Sequence, residues 1–90
     1  MRVGQARKRD SNEPPIVRAL EKIGVRVHRV SSKGFADLIA FSKTHGIVLI
    51  EVKSKKGRLT AAQVEHRQDG WPVAIVRCEA DALALFGVTQ

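Results

Sequence analysis

Apolar residues recur along this chain with two different periods, and the change from one to the other divides it into elements. Ile16, Leu20 and Ile23 stand at helical spacing with Val17 beside them, which predicts an amphipathic first helix running to about Ile23. Ser11 and Asn12 offer N-caps, Pro14 and Pro15 fall in the first turn where amide hydrogens have no partner anyway, and Gly24 ends the helix. Glu13 precedes Ile16 by three residues and Leu20 by seven, so it lies near the buried face at the helix tip.

From Val25 the period becomes two. Val25 and Val27 alternate with Arg26 and His28, which predicts a strand over Val25 to Val30 with one exposed face. Ser31, Ser32, Lys33 and Gly34 form a turn. A second strand covers Phe35 to Phe41 and a third Ile47 to Lys53, and the short connection from Ser42 to Gly46 makes these two an antiparallel pair. A basic loop, Lys55 to Arg58, leads to a second helix from about Thr60 to Gln68, broken by Asp69 and Gly70. Val73 to Val76 forms the last strand. A short helix follows from about Glu79 to Phe86, with Glu79 and Asp81 at its electropositive end and Gly87 at its C-cap. The expected fold is therefore α/β, in the order helix, three strands, helix, strand, helix, with a mixed central sheet flanked by helices.

Length and charge narrow the picture. The chain has 90 residues, enough for one domain with a thin core, and doubling that core across a dimer interface is a common remedy. We expect a basic flexible arm over residues 1–10 and a single domain over 11–90. The single cysteine, Cys78, excludes an internal disulfide and a cysteine-cluster metal site. No apolar run, Gly46 to Ile50 included, is long enough to cross a bilayer, and the opening residues lack the apolar stretch of a secretory signal. A cytoplasmic location is expected, in a bacterial or phage-infected cell, with no membrane partner. Sixteen Lys and Arg against nine Asp and Glu give a formal charge of +7, which favours a polyanionic partner without choosing among DNA, RNA and anionic lipid.

Against that basic background the acidic residues inside the strands stand out. Asp37, Ile39 and Phe41 share one face of the second strand, and Ile47, Leu49, Glu51 and Lys53 share one face of the third. Both strands are apolar on both sides until a carboxylate interrupts them. A carboxylate near a core is costly unless it is paired or holds a cation. One account is a strand-end ion pair of Glu51 with Lys53, with Asp37 accepting an amide hydrogen bond. The other uses the antiparallel pairing to bring Asp37 and Glu51 together, so that their oxygens, the main-chain carbonyl of Val52 and waters suit Mg²⁺ or Mn²⁺. Lys53 then lies on the same face, able to orient water and offset charge on phosphorus. His28, His45 and His66 are scattered and Cys78 has no base beside it in sequence, so a covalent intermediate is not expected.

The stretches GFADLIAF and GIVLIEVKSKKGRLTAAQ resemble the PD-(D/E)xK nuclease superfamily, and in detail its VRR-NUC branch. Gly34, Asp37, Glu51, Lys53, Leu59, Thr60 and Gln63 occur in the family's order, and the similarity runs from about Glu13 to Val76. The resemblance implies a restriction-endonuclease-like core and a metal-dependent DNA endonuclease. It implies Asp37, Glu51, the Val52 carbonyl and Glu13 around the metal, Lys53 as catalytic lysine, and Gln63 on the helix after the motif. Ala36 departs from the pattern, which often has proline before the aspartate. Members that stand alone include homodimers acting on four-way junctions, so branched DNA and a homodimer are the expected partners, with Mg²⁺ or Mn²⁺ and no organic cofactor. Flaps or nicked duplex, and a non-catalytic DNA-binding module, are the alternatives. Lys33, Lys55, Lys56, Arg58, His66 and Arg67 are the candidate DNA contacts. Thr60-x-x-Gln63 also reads as a capping box, and Trp71 reads as a plug for the core or a dimer seam.

Overall fold

A computed structural model describes residues 10–31 and 35–89. The basic arm up to Arg9, together with Lys33 and Gly34 in the predicted turn, lies outside the described residues. The elements run α1 (Glu13–Lys22), β1 (Arg26–Arg29), β2 (Leu38–Ser42), β3 (Gly46–Val52), α2 (Ala61–Gln68), β4 (Val73–Val76) and α3 (Glu79–Ala84). The strands form one sheet in the order β1-β2-β3-β4. β1 with β2 and β2 with β3 are antiparallel, whereas β3 and β4 are parallel, so the expected mixed sheet is present. The parallel pair follows from the connection: α2 carries the chain back so that β4 starts at the same end as β3.

Alternation decides which face of the sheet is inside. Leu38, Ala40, Ile50, Val52 and Val76 are buried and join Ile16, Val17 and Leu20 of α1 and Ala82 and Phe86 from the α3 region in one apolar cluster. Burying each large apolar side chain contributes about 1.5–3 kcal/mol. The opposite face carries Phe41 and Ile47, cross-strand partners that remain 40% and 69% exposed. Both faces were expected to be apolar by sequence; α1 and α3 cover only one of them.

Three local features differ from expectation. β2 begins at Leu38 rather than Phe35. The amide of Asp37 donates to the Ile50 carbonyl at 2.9 Å, although Ile50 is already the register partner of Leu38, so regular pairing stops there. Ile23 is the C-cap of α1 and 41% exposed, because the helix ends before its side chain can turn inward. Asn12 occupies the N-cap position of α1 but makes no side-chain cap. Its amide is used elsewhere, as described below, and the first free amide of the helix, that of Glu13, donates to the Asp10 carbonyl at 3.0 Å. Among the described residues no helix is long and apolar enough to cross a membrane.

Candidate active site

Glu51 is the last but one residue of β3 and is 3% exposed. It alternates away from the apolar cluster and meets α2, whose only buried residue is Gln63. Gln63 Nε2 donates to Glu51 Oε2 at 2.5 Å. The Lys53 ammonium lies 3.7 Å from the same oxygen, with its side chain 13% exposed. One carboxylate oxygen thus receives a neutral amide from the helix and faces a cation from the residue just past the end of its own strand.

Gln63 can reach Glu51 because its other end is fixed. Its backbone amide donates to Thr60 Oγ1 at 3.2 Å, and its Oε1 accepts the Thr60 amide at 2.8 Å. The capping box and the contact with the acidic centre, weighed as competing roles, coexist in one side chain. The cap sets the start of α2, and the start of α2 sets the direction of the amide that meets Glu51.

Asp37 is 7% exposed and sits just before β2. Its Oδ2 accepts the amide of Val52 at 2.8 Å, one position beyond Glu51. Its carbonyl accepts the amide of Val30 at 2.8 Å. The two carboxylates are therefore anchored at successive positions of β3, one through its partners and the other through the main chain. Placement of Asp37 depends on the irregularity at the start of β2, which releases its side chain from regular alternation.

Glu13 is 1% exposed at the start of α1. Arg29 Nε lies 3.6 Å from its Oε2. Among the described residues no group of three or more His, Cys, Asp or Glu side chains lies close enough to hold a metal, so Glu13 is not gathered into one donor set with Asp37 and Glu51. The donors at the strand ends, two carboxylates and the carbonyl of Val52, are all oxygen, which fits the hard-ligand preference of Mg²⁺ or Mn²⁺.

Two residues that the sequence did not connect with the site support the chain beyond Lys53. Asn12 Nδ2 donates to the carbonyls of Lys53 and Arg77, at 3.1 and 3.0 Å. Arg77 Nη1 reaches the carbonyls of Ser54 at 2.6 Å and Gly57 at 2.9 Å, and a longer 3.4 Å contact joins it to Lys55. Neither role has a local signal, since each bond crosses 20 residues or more of sequence. Gly57 serves the same bend: a β-carbon there would stand 3.0 Å from Ser54 Oγ and 3.3 Å from its amide nitrogen.

The remaining candidates divide into two groups. Lys55, Lys56 and Arg58 are exposed on the loop after Lys53. Arg67 is exposed too, but its Nη1 donates to the Val73 carbonyl at 2.7 Å, tying α2 to β4. His66 lies partly buried under α2, edge-on to Phe35 with ring centroids 5.1 Å apart, and its Nδ1 is buried without a hydrogen-bond partner. Phe35, Glu51, Gln63, His66 and Arg67 help line a small hollow between α2 and the sheet. Trp71 also meets Phe35 edge-on, at 5.2 Å, yet remains 50% exposed. At that exposure it does not plug the core, which leaves the dimer seam of its two expected roles. His28 and His45 are exposed, as is Cys78, consistent with surface or packing residues.

No family model, curated protein or solved structure matches this chain.

Proposed function

We propose that this chain is a Mg²⁺- or Mn²⁺-dependent DNA endonuclease with a restriction-endonuclease-like core of the VRR-NUC type. The observation that carries the reading is Glu51, a carboxylate buried at a strand end, held by Gln63 and faced by Lys53 while Asp37 is anchored on the next main-chain amide. An affinity surface for a polyanion has no use for two buried carboxylates, because they oppose the charge that attracts the ligand.

In this reading Asp37, Glu51 and the Val52 carbonyl would hold the metal, which would supply Lewis acidity toward phosphate and water. Gln63 fixes the direction of Glu51, limiting the reorganisation the site needs during reaction. Lys53 places positive charge on the same face, where it orients the water and offsets negative charge on the attacked phosphate. Lys55, Lys56 and Arg58 hold the DNA backbone beside the centre, a contact that positions without reading sequence. Backbone contacts of this kind follow the shape of the DNA rather than its sequence. Branched DNA is accordingly the proposed substrate, and a homodimer the proposed assembly, with the open sheet face around Phe41 and Ile47 meeting a second copy.

The competing reading is a DNA-binding module in which Asp37 and Glu51 are purely architectural. It draws on the same contacts, since both carboxylates have partners within the protein. Purified protein incubated with labelled four-way junction, flap, nicked duplex, linear duplex and single strand, with and without Mg²⁺, separates the two. Metal-dependent cutting, strongest on the junction, is the expected result. Binding without cutting on every substrate favours the module.

A further inference from the structure

Arg67 donates to one carbonyl beside the candidate site, whereas Arg77 gathers several. It follows β4 directly, and its guanidinium is turned toward protein carbonyls: Ser54 at 2.6 Å, Gly57 at 2.9 Å and, more loosely, Lys55 at 3.4 Å. Its own amide donates to Asp81 Oδ2 at 2.9 Å in the first turn of α3, and its carbonyl accepts from Asn12 at 3.0 Å. Asn12 also takes the carbonyl of Lys53 at 3.1 Å. Residues 53, 54, 55 and 57 thus have their carbonyls collected by two side chains from distant parts of the sequence. The segment they hold lies between β3 and α2, outside both elements, and carries exposed Lys55 and Lys56.

We infer that Arg77, seconded by Asn12, is a positioning residue that presents the Lys55 to Arg58 loop to a DNA backbone without itself contacting phosphate. The inference rests on the proposed DNA-acting function, from which it takes the ligand. The physical argument is one of preorganisation. A loop with no ladder to satisfy its carbonyls loses conformational entropy on binding unless something fixes it beforehand, and one guanidinium nitrogen, Nη1, bonded to the carbonyls of Ser54 and Gly57 does so. A guanidinium committed to carbonyls is also poorly placed to pair with phosphate. Removing it should therefore weaken DNA binding without changing the number of phosphate contacts.

Two measurements on the full chain test this, using Arg77→Met and Arg77→Lys beside Lys55→Ala. The first follows, by mass spectrometry without DNA, the rate at which trypsin cuts after Lys55, Lys56 and Arg58, with Arg18 and Lys22 in α1 as internal controls. The second measures affinity for a short labelled duplex across a salt series in Ca²⁺, which supports binding without requiring turnover. In both Arg77 variants, loop cleavage should rise at least about tenfold against the α1 sites. Affinity should fall several-fold with an unchanged slope of log K on log salt, whereas Lys55→Ala should lower the slope by about one. Arg77→Lys keeps the charge but is one bond shorter, so its ammonium falls short of the Nη1 position, and it remains informative if Arg77→Met fails to fold. A slope lowered by about one in Arg77→Met makes Arg77 a phosphate ligand and overturns the proposal. Unchanged loop cleavage, equal acceleration at the α1 sites, or wild-type affinity in both variants overturns it as well. Neither readout depends on strand cutting, so a protein that binds DNA but never cuts it defeats the nuclease reading and leaves this one standing.

Discussion

Gln63 and Glu51 are joined by a 2.5 Å hydrogen bond from Nε2 to Oε2, while Oε1 of the same side-chain amide accepts the Thr60 amide and closes the N-terminus of α2. A helix start and an acidic centre therefore share one side chain. Gln63→Ala removes the reciprocal cap and the bond to a carboxylate together, so unfolding in urea should show a loss of about 1–2 kcal/mol. Gln63→Glu keeps an acceptor for the Thr60 amide but sets a second carboxylate against Glu51. It should retain more helix stability than Gln63→Ala and still lose most cleavage. Equal cleavage by wild type and Gln63→Glu would show that the amide does not orient Glu51.

The Asp37 carboxylate carries both the fold and the proposed chemistry, so its two plausible substitutions should differ. Asp37→Ala leaves the buried amide of Val52 without its acceptor, at a cost of about 1–3 kcal/mol. Asp37→Asn keeps an oxygen in place for that amide and should melt close to wild type. Thermal melts of both variants check the contrast, and similar losses in the two would mean that the amide bond contributes little.

Leu38 and Ile50 face each other across β2 and β3 and are both fully buried. Leu38→Ala should cost about 2–5 kcal/mol, a large share of the roughly 5–15 kcal/mol typical of a folded domain. Denaturant unfolding should place this variant among the least stable single substitutions in the sheet. Ile47→Ala, at an exposed position on the other face, should change the stability of an isolated subunit by well under 1 kcal/mol.

Phe41 and Ile47 offer a test of assembly. They are register partners on the face that α1 and α3 leave open, and the proposed homodimer buries them. Sedimentation velocity of the full chain should give a dimer that Ile47→Asp converts to monomer with its circular dichroism unchanged. A wild-type protein that remains monomeric at high concentration contradicts the proposed assembly.

The elements themselves were legible in the sequence, because the periods of Ile16 and Leu20 in α1 and of Leu38, Ala40 and Ile50 in the sheet are imposed by burial on one side. So was the burial of Glu13, from its offset to the apolar stripe. Alternation also put Glu51 and Lys53 on one face, where the structure places them 3.7 Å apart. The position of Asp37 was only half legible: its neighbourhood was, but the break in register that sends its side chain to the Val52 amide was not. Asn12 reads locally as a helix cap and instead bridges two strand ends, since a carbonyl 41 residues away leaves no trace in the adjoining sequence. Arg77 was one cation among many for the same reason. The exposure of Phe41 and Ile47 depends on how far α2 reaches over the sheet, which strand patterning does not report.

The most direct test of the account is the initial rate of cutting of a labelled four-way junction as Mn²⁺ is titrated, with wild-type protein and Asp37→Asn side by side. The wild-type rate should rise from zero and saturate with Mn²⁺, and the folded Asp37→Asn protein should be at least about a hundredfold slower at every concentration. Cutting by wild type that ignores the metal, or full metal-dependent activity in Asp37→Asn, would contradict it.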